Sequence, residues 1–297
     1  MTRNDAGRRN RRVFLWLVLA LLALGLALSW FAGSVMVEAT PSLVAPARPP
    51  AQDLKIVSTD DVTLAASYWP GRTAQAPAVL LLHGNGASRA MMAANAAWLA
   101  AEGYAALTID FRGHGESTAT PHSFGLRESA DVAAALAWLK RRQGGAPVAV
   151  IGVSLGGAAA LLGSQDPLAA NALILQAVYP DIRRAIRNRL AAQTGSGPAW
   201  LLEPLLSLQA LPRYGEWPSR IAPLAALRRY HGPVFVIGGG ADRYTPPNET
   251  RELFEAAPGP RALWIVDGLD HRRVSGLTSD LYRARVLAFL RRSIGNP

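Results

Sequence analysis

The stretch that decides the reading of this chain is Val148-Ala149-Val150-Ile151-Gly152-Val153-Ser154-Leu155-Gly156, followed by the Ala- and Leu-rich run at 158–162. It combines an apolar run, a G-x-S-x-G turn and the start of a helical pattern, with one serine at the corner. A serine at so tight a strand-to-helix turn is held in a strained backbone conformation. Side chains in place of its glycine neighbours Gly152 and Gly156 would clash with the crossing backbone. The turn lifts the hydroxyl above the sheet edge and aims the first helical N–H groups at any oxyanion formed there. Gly- and Ser-containing turns are common, so the flanking segments and partner residues decide whether 152–156 is more than a turn.

Outward from that corner, apolar runs alternate with helical patterns. Residues 55–58 and 62–69 read as a hairpin across Asp60-Asp61. Residues 78–82 form a continuous apolar run, as a fully buried parallel strand does. A helix is expected at 91–102, ended by Gly103, then a strand at 104–109. A helix at 126–142 places Val132, Leu136 and Leu139 on one face. Further strands fall at 172–175, 234–237 and 262–266, and further helices at 249–256 and 279–293. This alternation predicts an α/β fold with a mostly parallel central sheet and helices on both faces. Between 181 and 231 the alternation breaks into helical pieces around Gly195-Ser196-Gly197-Pro198, with apolar clusters at Trp200-Leu201-Leu202 and Leu205-Leu206. A small helical cap inserted between two strands is expected there; core helices joined by a long loop are the alternative.

Residues 13–32, VFLWLVLALLALGLALSWFA, contain no charge. As a helix they span roughly 30 Å, the thickness of a hydrocarbon core. Trp16 and Trp30-Phe31 lie near the two ends, where interfacial aromatics belong. Arg3, Arg8, Arg9, Arg11 and Arg12 precede the run, so the positive-inside rule keeps the N-terminus cytoplasmic and delivers everything after Gly33 across the membrane. The expected organisation is a basic cytoplasmic segment at 1–12, a transmembrane signal-anchor helix at 13–33, a Pro- and Ala-rich linker at 34–53 and a globular domain at 54–297, with its cap at 181–231. A cleaved signal peptide is the rival: its apolar region is normally shorter, about 7–15 residues, but small residues at Ala32 and Ser34 would permit cleavage.

Composition closes several routes. The chain has 297 residues, half of them hydrophobic, enough for one sizeable core. It has no cysteine, which excludes disulfides, thiolate metal sites, a cysteine nucleophile and a lipidated cysteine. The net charge is +10, of which the first twelve residues carry +4, and Arg183, Arg184, Arg187 and Arg189 form a second cluster. No aromatic-interleaved basic stripe accompanies this excess, so no nucleic-acid partner is expected. An arginine-rich surface facing anionic lipid fits better. No H-E-x-x-H or comparable spacing occurs, and neither metal nor organic cofactor is expected.

Four segments set side by side resemble the α/β-hydrolase family over about residues 54–295. Leu82-His83-Gly84-Asn85-Gly86 looks like the family's His-Gly oxyanion loop, and Asp110-Phe111-Arg112-Gly113-His114-Gly115-Glu116-Ser117 is close to its D-x-R-G-x-G-x-S loop. The third segment is the elbow at Ser154. The fourth is the pair Asp242, in Gly238-Gly239-Gly240-Ala241-Asp242, and His271, in Gly268-Leu269-Asp270-His271, giving the family's order Ser, Asp, His. The segments look most similar to the bacterial membrane-anchored or lysophospholipase-like branch, which implies a single-pass protein of the bacterial inner membrane with an extracytoplasmic domain. The resemblance implies a serine hydrolase with Ser154, Asp242 and His271 as catalytic residues. It also implies oxyanion donors at the backbone N–H groups of Leu155 and Asn85, with His83, Gly84, Gly86, Gly152 and Gly156 as supporting loop residues.

Elimination among the five histidines points the same way. A serine hydroxyl needs a general base. His83 and His114 sit in glycine loops just after strands, where hydrogen bonding to the loops is expected. His122 lies in an irregular loop, and His231 in a turn before a strand. His271 alone follows the last strand by a short loop, at the C-terminal strand edge where sites form in open α/β sheets. Asp242 follows its strand at the same edge. Asp267 and Asp270 are read as turn and surface residues, and Asp110 as a loop-stabilising residue or an alternative acid. The expected activity is cleavage of a carboxylic ester, small or lipid-like, through an acyl-enzyme. A peptidase or amidase of the same fold, or a catalytically silent binding domain, remains open.

Overall fold

The structure is a computed structural model that describes residues 3–163 and 168–297. Met1 and Thr2 of the expected basic segment lie outside the described residues. Helix α1 (Arg3–Met36) comes first, then a two-residue strand, β1 (Thr40–Pro41). The hairpin β2 (Gln52–Val57) and β3 (Thr63–Trp69) turns through Asp60 and Asp61, both at positive φ (59° and 56°). Next come β4 (Ala78–Leu82), α2 (Ala90–Ala101), β5 (Ala105–Ile109), the two-residue β6 (His114–Gly115), α3 (Glu128–Arg142), β7 (Val148–Val153), α4 (Leu155–Leu161) and β8 (Ala172–Gln176). Four helices follow without a strand: α5 (Ile182–Thr194), α6 (Ser196–Ser207), α7 (Ala210–Tyr214) and α8 (Pro223–Leu227). The chain closes with β9 (Val234–Gly239), α9 (Pro247–Ala256), β10 (Arg261–Val266), α10 (His271–Ser275) and α11 (Asp280–Ile294).

Eight strands form one sheet in the order β10-β9-β8-β7-β4-β5-β3-β2. All neighbours are parallel except β2 with β3 and β3 with β5. The inner parallel strands are buried on both faces, which is why they read as unbroken apolar runs, whereas the edge strand β10 is only half-buried. Alternate residues feed different cores. Leu80 and Leu82 pack with α3, α4 and α9 on one face, while Val79 and Leu81 pack with α2 and α11 on the other. The sheet therefore has helices on both faces. β7, which carries the elbow, is sandwiched between β4 and β8 at its centre.

The stretch expected to be a plain linker is tied down. Helix α1 runs past Gly33 to Met36, and β1 pairs in parallel with β6. Thr40 N–H donates to the Gly113 carbonyl (2.6 Å), Ser42 N–H to Gly115 (2.9 Å), and His122 N–H to Val37 (3.0 Å). Proline-rich composition hides these bonds, because each joins residues some 70 or more positions apart.

Candidate active site

Ser154 sits between β7 and α4 at φ 49° and ψ −110°, a conformation that is strained for any residue with a side chain. The packing around it leaves no alternative. A Cβ on Gly152 would lie 2.5 Å from the Gly157 Cα, and one on Gly156 would lie 2.7 Å from the His83 carbonyl oxygen. The elbow backbone thus crosses itself and β4 at distances that only glycine allows. Ser154 N–H donates to the Gln176 carbonyl at 2.8 Å, anchoring the corner to the end of β8.

Asp242 and His271 meet at the same end of the sheet, after β9 and β10. His271 Nδ1 lies 2.8 Å from Asp242 Oδ2. The other carboxylate oxygen accepts backbone N–H bonds from Tyr244 (2.8 Å) and Thr245 (2.9 Å). With Oδ1 so occupied and the carboxylate buried, Oδ2 is the oxygen left for His271. The bond then sets the tautomer, with the proton on Nδ1 and a lone pair on Nε2. His271 opens the short helix α10, capped by Asp270, whose side chain accepts from Arg273 N–H. Among the described residues no hydrogen bond joins the Ser154 hydroxyl to His271.

A cavity of about 300 Å³ is lined by Ser154, Leu155 and Asn85, together with Tyr179 and Arg189. Leu155 is the first residue of α4, so its N–H has no acceptor within the helix. The Asn85 side chain is 3.2 Å from His114 Nε2. A Cβ on Gly84 would have room, and Gly86 turns through a positive φ of 70°.

His83 is fully buried. Phe111 N–H donates to its Nε2 at 3.1 Å, so its proton resides on Nδ1, 2.7 Å from the Gly84 carbonyl. Burial, with His114 nearby, lowers its pKa to about 3, and it remains neutral. Its role is to tie the 83–86 loop to the 110–117 loop. Asp110 is likewise consumed: it pairs with the Arg89 guanidinium and accepts from the backbone N–H groups of Arg89 and Glu116. It has no oxygen to spare for His271. Among the described residues, no three His, Asp or Glu side chains gather as a metal site would require.

Two features escape sequence reasoning. Gln176, at the end of β8, receives Ser154 N–H on its carbonyl, and its buried side-chain amide donates to the carbonyls of Val274 and Ser275 in α10. One residue therefore braces both the serine corner and the His271 helix. A glutamine ending an apolar strand is a weak signal for such a bridge. The other feature is the cavity wall supplied by Val35, Met36, Glu38 and Thr40, from the end of α1 and the segment after it. No local pattern relates residues 35–40 to Ser154.

The chain matches known proteins over most of its length. The model of a family described as the alpha/beta hydrolase family matches residues 79–280. Rv2307c, an uncharacterized protein of Mycobacterium tuberculosis, is 31% identical over 227 residues, covering 75% of this chain and 73% of that one. Among solved structures, the esterase Pf2001 of Pyrococcus furiosus aligns with a TM-score of 0.68 and 25% identity, over 86% of this chain and 100% of that one. The acylaminoacyl peptidase of Pyrococcus horikoshii shares the fold at a TM-score of 0.61 and 17% identity, over 83% of this chain and 42% of that one.

Proposed function

Because the chain belongs to the alpha/beta-hydrolase family, we propose that it is a membrane-anchored serine hydrolase that cleaves a carboxylic ester through Ser154, His271 and Asp242. The observation that carries this reading is the 2.8 Å bond between His271 Nδ1 and Asp242 Oδ2, formed at the same strand edge as the strained Ser154 corner. His271 Nε2 takes the Ser154 proton as Oγ attacks the ester carbonyl carbon. The N–H groups of Leu155 and Asn85 hold the resulting oxyanion. Collapse expels the alcohol, which leaves with the proton from His271. Water, deprotonated by the same imidazole, then hydrolyses the acyl-enzyme. Asp242 holds the imidazole tautomer and stabilises the imidazolium.

Helix α1 is long and apolar enough, over Arg9–Met36, to cross a membrane. Its retention as an anchor is supported by its bonds to the domain. Gln209 Nε2 donates to the Ser29 carbonyl at 2.9 Å, and Arg213 donates to the Trp30 carbonyl and to Ser34 Oγ, each at 2.9 Å. A segment removed on maturation has no need of side-chain partners in the domain it leaves. The basic N-terminus then stays cytoplasmic and the hydrolase domain lies on the opposite side. Labelling with a fluorophosphonate tests the catalytic reading. Wild type is expected to be labelled at Ser154 and to turn over p-nitrophenyl butyrate faster than aminoacyl p-nitroanilides, with both signals lost in Ser154→Ala. A folded wild-type sample that takes no label would sink it.

A further inference from the structure

We propose that the Ser154 cavity is loaded sideways from the lipid leaflet, along the end of α1, while cap helix α6 lies in the same membrane interface. This rests on the anchored serine-hydrolase reading and adds the source of the substrate: an ester amphiphile resident in the leaflet on the domain's side.

The first observation is how high the domain sits. The uncharged stretch of α1 runs from Val13 to its end at Met36, and Glu38 is the first charge after it. Ser29, two helical turns or about 10 Å before that end at 1.5 Å per residue, donates from its hydroxyl to the Leu205 carbonyl of α6 at 2.8 Å. Gln209 reaches the same turn, and a Cβ on Gly33 would lie only 2.0 Å from its side-chain oxygen. The Arg213 guanidinium stacks on Trp30 at 4.0 Å. The end of α6 is therefore fixed against the last two turns of the uncharged stretch of α1, at its Trp30-Phe31 pair. The bonds of Val37, Thr40 and Ser42 to the 113–122 loop leave no slack that would let the domain stand off.

The second observation is what α6 shows at that depth. Leu201, Leu205 and Leu208, spaced four and three residues apart, fall on one side of the helix and are exposed, Leu201 at 78%. Trp200, next to Leu201 with the Arg187 guanidinium on its ring, and Trp217, after α7, are exposed at 60% and 56%. An apolar stripe rimmed by tryptophan and continuous with a membrane-spanning helix is the signature of an interfacial segment.

The third observation is the route. A groove of about 670 Å³ begins at Trp30 and Phe31, the interfacial end of α1, and runs along Val35 and Glu38. The same two residues line the Ser154 cavity. The groove and the cavity thus share a wall, and that wall belongs to the anchor. An acyl chain leaving the leaflet beside Trp30 passes Phe31, Val35 and Met36 on the way to the serine, with the charged Glu38, Arg127 and Arg213 lining the same route, and its ester reaches the Leu155 and Asn85 donors.

The cysteine-free chain makes a direct test simple. Full-length protein with a single Leu201→Cys carries a nitroxide and is placed in vesicles of phosphatidylcholine and phosphatidylglycerol. The label is expected to collide more with oxygen than with a water-soluble nickel chelate; the same label at Arg141→Cys is expected to do the reverse. Equal nickel exposure at the two sites would overturn the docking of α6. The second arm compares a hexadecyl fluorophosphonate held in the vesicles with a soluble ethyl analogue. Leu201→Glu with Leu205→Glu is expected to slow Ser154 labelling by the vesicle-held probe at least tenfold and by the soluble probe less than twofold. Equal slowing, or none, overturns the proposal while leaving the serine-hydrolase reading intact. Failure of both probes on wild type overturns the two together.

Discussion

Replacing Asp242 by asparagine perturbs the proposed site where the geometry constrains it most. Asp242 Oδ1 accepts from the N–H groups of Tyr244 and Thr245, and Oδ2 faces His271 Nδ1. In the Asp242→Asn variant the amide oxygen must stay with the two backbone donors. The opposite orientation would turn the NH2 toward two N–H groups and leave both unpaired, at about 1–3 kcal/mol each. The amide NH2 therefore faces His271 and donates to Nδ1, which moves the imidazole proton to Nε2. The lone pair that would accept the Ser154 proton is gone. In the Ser-His-Asp template that wrong tautomer lowers kcat by about 10⁴, or about 5.5 kcal/mol of barrier. Both backbone bonds survive, so the melting midpoint is expected to move by less than about 5 °C. Turnover of p-nitrophenyl butyrate by the detergent-solubilised full chain, read beside thermal unfolding, measures both quantities. A kcat within tenfold of wild type in a normally folded variant would refute the argument that Asp242 fixes the tautomer of His271.

Gly156→Ala drives a methyl to 2.7 Å from the His83 carbonyl oxygen and from Leu82. It is expected to destabilise the fold by about 1–3 kcal/mol, seen as a lower melting midpoint; an unchanged midpoint would contradict the close crossing. Ser154→Gly and Ser154→Ala are both expected to abolish hydrolysis, but glycine tolerates φ 49°, ψ −110° and alanine does not. The glycine variant should be the more stable by about 1 kcal/mol, and equal unfolding midpoints would mean that no strain is stored there. Acid should weaken the fold through two histidines. Burial, with His114 nearby, holds His83 at about 3 and His122 at about 4, against about 6.5 in the unfolded chain. Unfolding takes up protons between those values, so this stability is complete above pH 6.5 and lost as pH falls toward the folded values. At pH 5 each contributes a loss on the order of 2 kcal/mol. Urea midpoints that stay flat between pH 7.5 and 5 would refute it.

The elements legible in the sequence are those whose cause is local. The strand β7 occupies the span of the apolar run 148–153, which stops at a turn whose close backbone crossings at Gly152 and Gly156 only glycine allows. The Asp60-Asp61 hairpin and the helix α3 are read from turn chemistry and 3.6-residue spacing in the same way. Of the candidate site, Ser154, Asp242 and His271 stand out because each ends a strand pattern in a short loop. Their support was not legible. Gln176 acts through carbonyls 98 and 99 residues away, and Arg89, an exposed residue by any hydropathy reading, is buried against Asp110 and Glu116. The helix α10 was missed although its cap, Asp270, is a regular helix-start signal; five residues carry too little periodicity to show.

The greatest departure from the sequence reading concerns α1 and the segment after it, and it changes what α1 is for. A hydrophobic run followed by a Pro- and Ala-rich stretch reads as a helix on a string. In the structure Ser29, Gly33, Met36 and Thr40 make specific contacts with α6, α7, the cavity and β6. Cutting the chain before β2 would remove a wall of the cavity and strip the Gly113 and Gly115 carbonyls and the His122 N–H of their partners. The loop so loosened carries His114, whose imidazole lies against Asn85. A fragment that begins at β2 would therefore differ from the whole protein in the shape of the cavity around Ser154. Helix α1 and the 83–86 loop are parts of one packed unit, with the loop of β6 between them.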